Sequence, residues 1–485
     1  MNKRAISIYI GYLLCVEGIF MLPALAIAAY HKEQPSVKGF GIAMAMLLVL
    51  GALLARQKRS DAGVYAREGF VTVSLGWILI SLFGALPFYI SGAIPSFLDC
   101  WFETVSGFTT TGASILTNVE ALPRGLLYWR SFTHWLGGMG VLVFMLAVVP
   151  LAKGSGETFH LLRAESPGPS VDKLAPTMRH TTRILYAIYI VLTLLQIVLL
   201  LLGGMPLFDS VVHTFGTAGT GGFSIKNASI GAYDSAYLQA VIGVFMALFG
   251  INFSVYYLIL LRQFRAAFRN EEFRAYIGIM LLTTAVIAID ILPQYTGRGA
   301  GRAVLDSFFQ VSSVMTTTGY ATTNFDQWPQ LSRYLLLLLM IIGASAGSTG
   351  GGVKVSRLII LWRAVKNQMQ TMLRPRAVRP VRMDGKPLNE NVVRGTYAFA
   401  AVYAAICLIS MLLLTLDDYS MMTTVSAVLA CINNIGPGLD LVGPAGNFAF
   451  FSPLSKIVLS LDMLLGRLEI FPMLLLCMPS IWRKA

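Results

Sequence analysis

Long apolar segments recur along the whole chain, and they constrain its fold more than any other feature. About ten such segments, each of eighteen residues or more, are centred near residues 17, 45, 80, 140, 191, 248, 283, 340, 403 and 468. One helix of this length crosses the roughly 30 Å apolar core of a lipid bilayer. Only 13% of the 485 residues are charged, whereas soluble domains are about one quarter charged. The sequence therefore predicts an all-α polytopic membrane protein.

The N-terminal segment predicts a first membrane helix rather than a cleaved signal peptide. It has the basic start of a signal peptide at Lys3 and Arg4, and an Ala26-Ile27-Ala28 ending that is typical of a cleavage site. Its apolar stretch, however, runs for about 25 residues, and the apolar region of a signal peptide holds only about 7–15.

Basic residues are distributed unevenly over the predicted loops. If the N-terminus lies inside and the spans alternate, 27 of the 37 Lys and Arg residues fall on the inner side. Cytoplasmic loops carry such an excess, so both termini are predicted to be cytoplasmic. This distribution explains the net charge of +13 without nucleic-acid binding. The outer segments hold more acidic than basic residues, which favours the approach of a cation over an anion.

Four short stretches of related sequence recur at wide intervals. They read FTTTGAS at 108–114, GTGGFS at 219–224, MTTTGYA at 315–321 and NNIGPG at 433–438. Their aligned glycines are 110, 97 and 117 residues apart, and they are Gly112, Gly222 (with Gly221 as an alternative), Gly319 and Gly436. Thirteen residues before these glycines stand Asp99, Asp209, Asp306 and, in the fourth stretch, Thr423.

The segments around each stretch follow one order. Aspartate is a preferred helix N-cap, so a helix of about ten residues is predicted before each Thr-Gly stretch, and it would reach about 15 Å, half of a bilayer. Apolar spans precede and follow, and the following spans contain Gly137, Gly250, Gly343 and Gly466. The predicted unit is a span, a half-helix, a Thr-Gly turn and a second span. It occurs four times in tandem, after two N-terminal spans.

Half-helices that end in Thr-Gly turns predict an ion filter. Irregular backbone inside a bilayer must line a water-filled cavity, because lipid cannot satisfy its polar groups. Glycine lets four strands approach one axis in pseudo-fourfold symmetry, where carbonyl oxygens replace the water shell of a cation. The half-helix dipoles would direct their negative ends at the same pore. With one usable glycine per strand, we expect a shorter filter than in most potassium channels and lower selectivity over sodium.

The candidate filter residues come from all four turns. They are Thr110, Thr111, Gly112, Thr220, Gly221, Gly222, Thr318, Gly319, Asn434, Ile435 and Gly436. The hydroxyls of Thr110, Thr111, Thr317 and Thr318 are further candidate ligands. The fourth turn differs from the others because Asn434 and Ile435 stand where the others carry threonine or glycine.

A glycine-rich insert, GASAGSTGGG at 343–352, interrupts the span that follows the third turn. It is not a nucleotide-binding P-loop, because Val353 separates the last glycine from Lys354 and Val355 replaces the magnesium-binding hydroxyl. We interpret it as a break at mid-membrane that forms a gating loop under the filter, with a passive hinge as the alternative. The candidate gating residues of this segment are Gly343, Gly347, Gly350, Gly351, Gly352 and Lys354.

Arg467 occupies the aligned position in the fourth unit. A charge inside a span costs several kcal/mol unless it faces water or a partner. We therefore expect Arg467 to lie beside the loop as an electrostatic barrier to cations. A structural salt bridge with Glu469 or Asp462 is the alternative.

These motifs together resemble the membrane subunit of the bacterial Trk potassium uptake system (TrkH type), in the Trk/Ktr/HKT superfamily. The resemblance covers essentially the whole chain and rests on the four units, the Thr-Thr-Thr-Gly turns at 109–112 and 316–319, the insert 343–352 and Arg467. It implies potassium permeation at the bacterial inner membrane, with potassium bound in the filter. It also implies an intramembrane gate, a homodimer, and a cytosolic nucleotide-binding regulatory ring (TrkA type) on the basic inner loops.

The predicted organisation has five parts. They are 1–60 with two N-terminal spans, 61–155 with the first pore unit, 156–265 with the second, 266–390 with the third and its broken span, and 391–485 with the fourth.

Two other functional classes fit the sequence less well. A cation-coupled solute symporter built from inverted repeats shares the broken helix and the intramembrane charge, but it does not predict four parallel copies of one unit. An intramembrane enzyme needs a paired catalytic constellation near the midplane. The five histidines show no metal-ligand spacing, so the sequence predicts no enzyme.

Overall fold

The computed structural model describes residues 1–57, 66–140, 178–297, 299–374 and 380–482. The first part contains α1 (Lys3–Phe20), α2 (Leu22–Tyr30) and α3 (Gln34–Ala55). Helices α1 and α2 follow one another across Met21, with Pro23 in the first turn of α2, a position where proline is tolerated. The two N-terminal spans pack mainly against each other and against the helix that follows them.

Helices of the first two predicted units follow in the expected order. The first unit contains α4 (Ala66–Gly84), α5 (Leu86–Ile90), the half-helix α6 (Phe97–Phe108) and α7 (Arg124–Gly138). The second contains α8 (Met178–Leu202), the half-helix α9 (Leu207–Gly219), α10 (Ala236–Phe249), α11 (Phe253–Leu260) and α12 (Phe264–Arg269).

The last two predicted units repeat this order. The third contains α13 (Glu271–Ile291), the half-helix α14 (Ala300–Met315), α15 (Gln330–Ile342), α16 (Val355–Leu373) and a hairpin of β1 (Arg382–Met383) and β2 (Lys386–Pro387), which pair antiparallel. The fourth contains α17 (Glu390–Leu414), the half-helix α18 (Met421–Ile432), α19 (Pro453–Arg467), α20 (Phe471–Cys477) and α21 (Pro479–Trp482).

Within the described residues, the second spans of three units are interrupted: the predicted break follows Ile342, and two breaks that were not predicted follow Phe249 and Arg467. Within the described residues, six helical stretches are long and apolar enough to cross a membrane unbroken: Lys3–Tyr30, Gln34–Ala55, Arg67–Ile90, Arg183–Leu202, Glu271–Tyr295 and Glu390–Asp417. The spans predicted near 140, 248, 340 and 468 instead end as helices at Gly138, Phe249, Ile342 and Arg467. The continuation of the first of these four lies outside the described residues. Hydropathy did not reveal the breaks after Phe249 and Arg467 because the segments on both sides of each break are apolar.

The half-helices have 12, 13, 16 and 12 residues, which correspond to about 18–24 Å and do not cross the bilayer. Their aspartates are not N-caps, contrary to expectation. Ser96 caps α6 with its side chain, and Asp99 lies in the first turn. Asp306 lies inside α14, where it accepts hydrogen bonds from Arg302 at 3.0 Å and from the Tyr295 hydroxyl at 3.0 Å.

Candidate functional site

The four Thr-Gly turns have the same backbone geometry. Each has a residue with φ near +60° two positions before a glycine that also has positive φ, and these pairs are Thr110 and Gly112, Thr220 and Gly222, Thr317 and Gly319, and Asn434 and Gly436. Each turn also closes with an amide that donates to the carbonyl five residues earlier, from Thr111, Gly221, Thr318 and Ile435 at 2.8–2.9 Å. This geometry aligns Gly222, rather than Gly221, with the other three glycines.

The turns are arranged in a closed ring, which we call the glycine ring and define by Gly112, Gly222, Gly319 and Gly436. A Cβ atom added to each glycine would overlap a backbone oxygen of the next turn, and the contacting pairs are Gly112 with Gly221, Gly222 with Thr318, Gly319 with Ile435 and Gly436 with Thr111. Each turn therefore contacts the next, and the fourth contacts the first. Only glycine allows this approach and supplies the required positive φ.

One cavity opens above the ring, on the side where the chain leaves the turns. All four ring glycines line it, together with residues such as Ser114, Phe223 and Pro437. The half-helices end directly before the turns, so the negative ends of four helix dipoles surround the ring. The site is therefore electrostatically suited to a cation.

The threonine hydroxyls bind protein groups. Thr111 and Thr318 pair with the hydroxyls of Thr109 and Thr316 at 2.8 and 2.7 Å. The Asn434 side chain, which replaces threonine in the fourth turn, donates to Thr111 Oγ1 at 3.0 Å. Because these hydroxyls bind protein groups, the backbone carbonyls are the oxygen atoms that all four turns have in common.

The glycine-rich insert forms a loop between α15 and α16 that touches the opposite side of the ring. Gly351 N donates to Thr317 Oγ1 at 2.8 Å. A Cβ atom added to Gly350 would lie 2.9 Å from the carbonyl oxygen of Thr316, and one added to Gly351 would lie 2.6 Å from that of Asn433. The loop thus lies directly against the beginnings of the third and fourth turns.

The opposite face of the loop forms hydrogen bonds with the backbone at the break between α10 and α11. These helices bend by 91°, and the bend exposes backbone groups that the loop satisfies. Ser345 N donates to Gly250 O at 3.1 Å, and Phe253 N donates to Gly347 O at 3.0 Å. The Thr349 hydroxyl donates to Phe249 O at 3.2 Å. The side chain of Asn252 caps α11 by accepting from Ser254 N at 2.9 Å.

Glu272, which the sequence analysis did not identify, anchors both ends of the loop. It is buried, and its Oε1 accepts from Ala346 N at 2.7 Å and from Ser356 N at 3.2 Å. The neighbouring Glu271 binds Arg363 of α16 at 2.7 Å and Asp384 N of the hairpin at 3.0 Å. One turn of α13 therefore holds both the loop and the hairpin. The only sequence signal was a pair of acids at the beginning of a span.

Arg467 joins the loop to the first turn. Its guanidinium donates to Thr349 O at 2.9 Å and to Thr110 Oγ1 at 3.1 Å. It also donates to the carbonyls of Gly137 and Gly138, at the end of α7, at 2.5 and 2.8 Å. This side chain thus lies beside the loop, on the side of the ring opposite the cavity.

The acids proposed as alternative partners of Arg467 are bound elsewhere. Glu469 forms ion pairs with Lys354, at 3.1 Å, and with Arg357. Asp462 accepts from the Ser410 hydroxyl at 2.8 Å. Lys354, a candidate gating residue, therefore helps to fasten the end of the loop to the segment that follows α19.

Two further polar groups connect neighbouring turns. His134 Nδ1 bonds to Gly107 O at 2.8 Å and Nε2 accepts from Phe223 N at 3.2 Å, so it connects the first half-helix with the second turn. Arg130, which the sequence analysis did not single out, forms a buried ion pair with Glu103 at 2.6 Å and donates to Ser224 O at 2.9 Å. The sequence signal that could have identified this ion pair is the presence of two opposite charges, Glu103 and Arg130, in otherwise apolar segments.

Apolar helices around a ring of carbonyl-bearing turns define a helical polytopic membrane transport protein. Comparison with known sequences places the chain within that class. The profile of the TrkH family, described as a cation transport protein, matches residues 37–484, and the chain belongs to this family. The predicted family and the prediction of a helical polytopic membrane protein are thereby confirmed.

Individual relatives match along their whole length. The chain is 35% identical over 492 residues to the "Trk system potassium uptake protein TrkH" of Salmonella typhimurium strain LT2, with 100% of both chains covered. It is 33% identical to the "Trk system potassium uptake protein TrkG" of Escherichia coli strain K12, covering 100% of this chain and 99% of the relative. The crystal structure of the potassium transporter TrkH from Vibrio parahaemolyticus is similar, with a TM-score of 0.88 and 33% identity over 100% of both chains.

Proposed function

We propose that this protein takes up potassium across the bacterial inner membrane through the glycine ring. The relatives above are named as potassium uptake proteins. The observation that carries the proposal is the cyclic contact of the four turns, because it brings four backbone strands to one axis. Four strands around an axis offer the oxygen ligands that replace the water shell of a dehydrated potassium ion.

In this proposal, an ion loses water in the cavity and binds the carbonyl oxygens of the turns. The half-helix dipoles offset part of the cost of dehydration. Each turn contributes one ring glycine and only a short extended stretch, so the filter holds few ions. We expect weaker discrimination against sodium than in a longer filter.

The loop and Arg467 form the proposed gate. Both contact the ring where an ion would leave it, and the guanidinium adds a positive charge there. Two unit charges roughly 6–8 Å apart repel each other by about 1–3 kcal/mol at an effective dielectric constant of 20–40, so a cation is repelled while Arg467 stays in place. The gate opens when Arg467 releases the loop and the loop leaves the ring.

The remaining parts of the proposal concern assembly. Both termini lie in the cytoplasm, which places α16, the hairpin and the basic residues between 354 and 394 on the cytoplasmic side. This surface suits an acidic regulatory partner, such as a nucleotide-binding ring of the TrkA type, and the chain itself forms a homodimer in the bilayer. The links from Glu271 to the hairpin and from Glu272 to the loop offer a route from that surface to the gate.

Rubidium-86 uptake into potassium-loaded liposomes that contain the purified protein tests this function. We expect uptake that unlabelled potassium blocks and that choline leaves unchanged, and we expect higher uptake after deletion of residues 343–352. If neither the intact protein nor the deletion variant takes up rubidium, potassium permeation is contradicted, and a cation-coupled solute symporter becomes the better hypothesis.

A further inference from the structure

The cavity above the glycine ring carries an unbalanced positive charge. Two basic residues, Arg130 and Lys226, contribute to its lining together with the four ring glycines. The charge of Arg130 is balanced because its guanidinium is buried against the Glu103 carboxylate at 2.6 Å. Lys226 is half-buried and, among the described residues, forms no ion pair.

Several acidic residues of the outer segments have cations of their own. Asp99 binds Lys456 at 2.6 Å, Asp306 binds Arg302 at 3.0 Å, and Asp326 binds Arg333 at 3.0 Å. The acid that the structure places beside Lys226 is Glu120, whose Oε1 accepts from Asn227 N at 3.2 Å. Glu120 is exposed and does not line the cavity. Among the described residues, those that line the cavity include Arg130 and Lys226 but no acid, so Lys226 is the lining charge without an ion-pair partner.

We infer that Lys226 controls how many cations occupy the outer cavity and discriminates against divalent ions. This inference rests on the proposed permeation of potassium through the ring. A fixed positive potential lowers the local concentration of an ion by a factor that depends exponentially on the charge of the ion. If the monovalent concentration falls by a factor f, the divalent concentration falls by f squared. For one lysine charge several ångströms away, partly screened by water, f is about 2–5.

The test uses rubidium uptake by the full-length protein in liposomes, with barium as a divalent competitor of similar size to potassium. Lys226→Gln removes the charge and Lys226→Arg keeps it. Lys38→Gln, at an exposed position of α3 outside the cavity lining, is the matched control for a change in net charge. Each variant is measured at about 10 mM ionic strength and again at about 0.5 M choline chloride, where screening suppresses interactions over this distance.

At low ionic strength, Lys226→Gln is expected to lower the half-saturating rubidium concentration about 2- to 5-fold. It should lower the half-blocking barium concentration by the square of that factor, and both shifts should vanish at high ionic strength. Lys226→Arg and Lys38→Gln should match the wild type. Equal shifts for both valences, shifts that persist in salt, or unchanged values with normal uptake would overturn the inference. Absence of uptake in the wild type and every variant would contradict the proposed function itself, and the inference with it.

Discussion

Replacement of Arg467 by glutamine is expected to increase ion flux, because it removes the positive charge next to the inner end of the glycine ring. The guanidinium lies 3.1 Å from Thr110 Oγ1, so an ion beside that hydroxyl would be roughly 6–8 Å from the charge. At an effective dielectric constant of 20–40, the repulsion is about 1–3 kcal/mol. This corresponds to about a 5- to 100-fold increase in flux if the step past Arg467 limits the rate.

Rubidium uptake by reconstituted protein measures this effect. Arg467→Lys keeps the charge but loses the forked donors to the loop and to α7, so its flux should remain within about threefold of the wild type. Arg394→Gln is the matched control, because Arg394 forms an exposed pair with Glu390 on the surface of α17. An increase below twofold in a folded Arg467→Gln variant, or an equal increase in the Arg394 control, would refute the electrostatic reasoning.

Three further predictions concern the ring and its supports. Gly319→Ala should reduce rubidium uptake at least 100-fold, because a Cβ atom would overlap Ile435 O at a φ of +86°. The control Gly278→Ala, in open space on α13, should keep uptake within twofold of the wild type. Similar losses in both variants would contradict the ring packing. Glu272→Ala should raise basal uptake severalfold because the loop loses its anchor at both ends. Glu272→Gln keeps an acceptor oxygen and should raise uptake less. Equal uptake in the two variants and the wild type would exclude Glu272 as the anchor. Glu103→Ala should lower the unfolding free energy by about 3–5 kcal/mol, because it leaves the buried guanidinium of Arg130 without its carboxylate partner. Thermal unfolding in detergent should show this loss of stability, and the control Gly278→Ala should not show it.

Sequence spacing predicted much of the candidate site. The Thr-Gly turns were identifiable because a ring of close strands demands glycine at fixed positions, and the structure shows contacts at Gly112, Gly222, Gly319 and Gly436. The break at 343–352 was predicted for a related reason, since ten residues of small and polar side chains cannot continue an apolar helix. Both features follow from local chemistry that composition reveals directly.

Contacts between distant segments were not predictable in the same way. The break at 250–252 has no unusual composition, and its exposed backbone groups are satisfied by a loop about 95 residues later in the chain. Glu272 anchors that loop across 74 and 84 residues of sequence. The N-caps were mispredicted because Asp306 binds Arg302 and Tyr295 from inside the helix. A single sequence does not contain the three-dimensional pairing that decides these roles.

The central claim is that potassium binds on the axis of the glycine ring. Anomalous X-ray diffraction from crystals of the whole protein, grown with rubidium in place of potassium, tests it most directly. The account predicts at least one rubidium peak enclosed by backbone carbonyl oxygens of all four turns, weaker or absent in Gly319→Ala. Rubidium peaks confined to other parts of the protein, with an undistorted and empty ring, would contradict it.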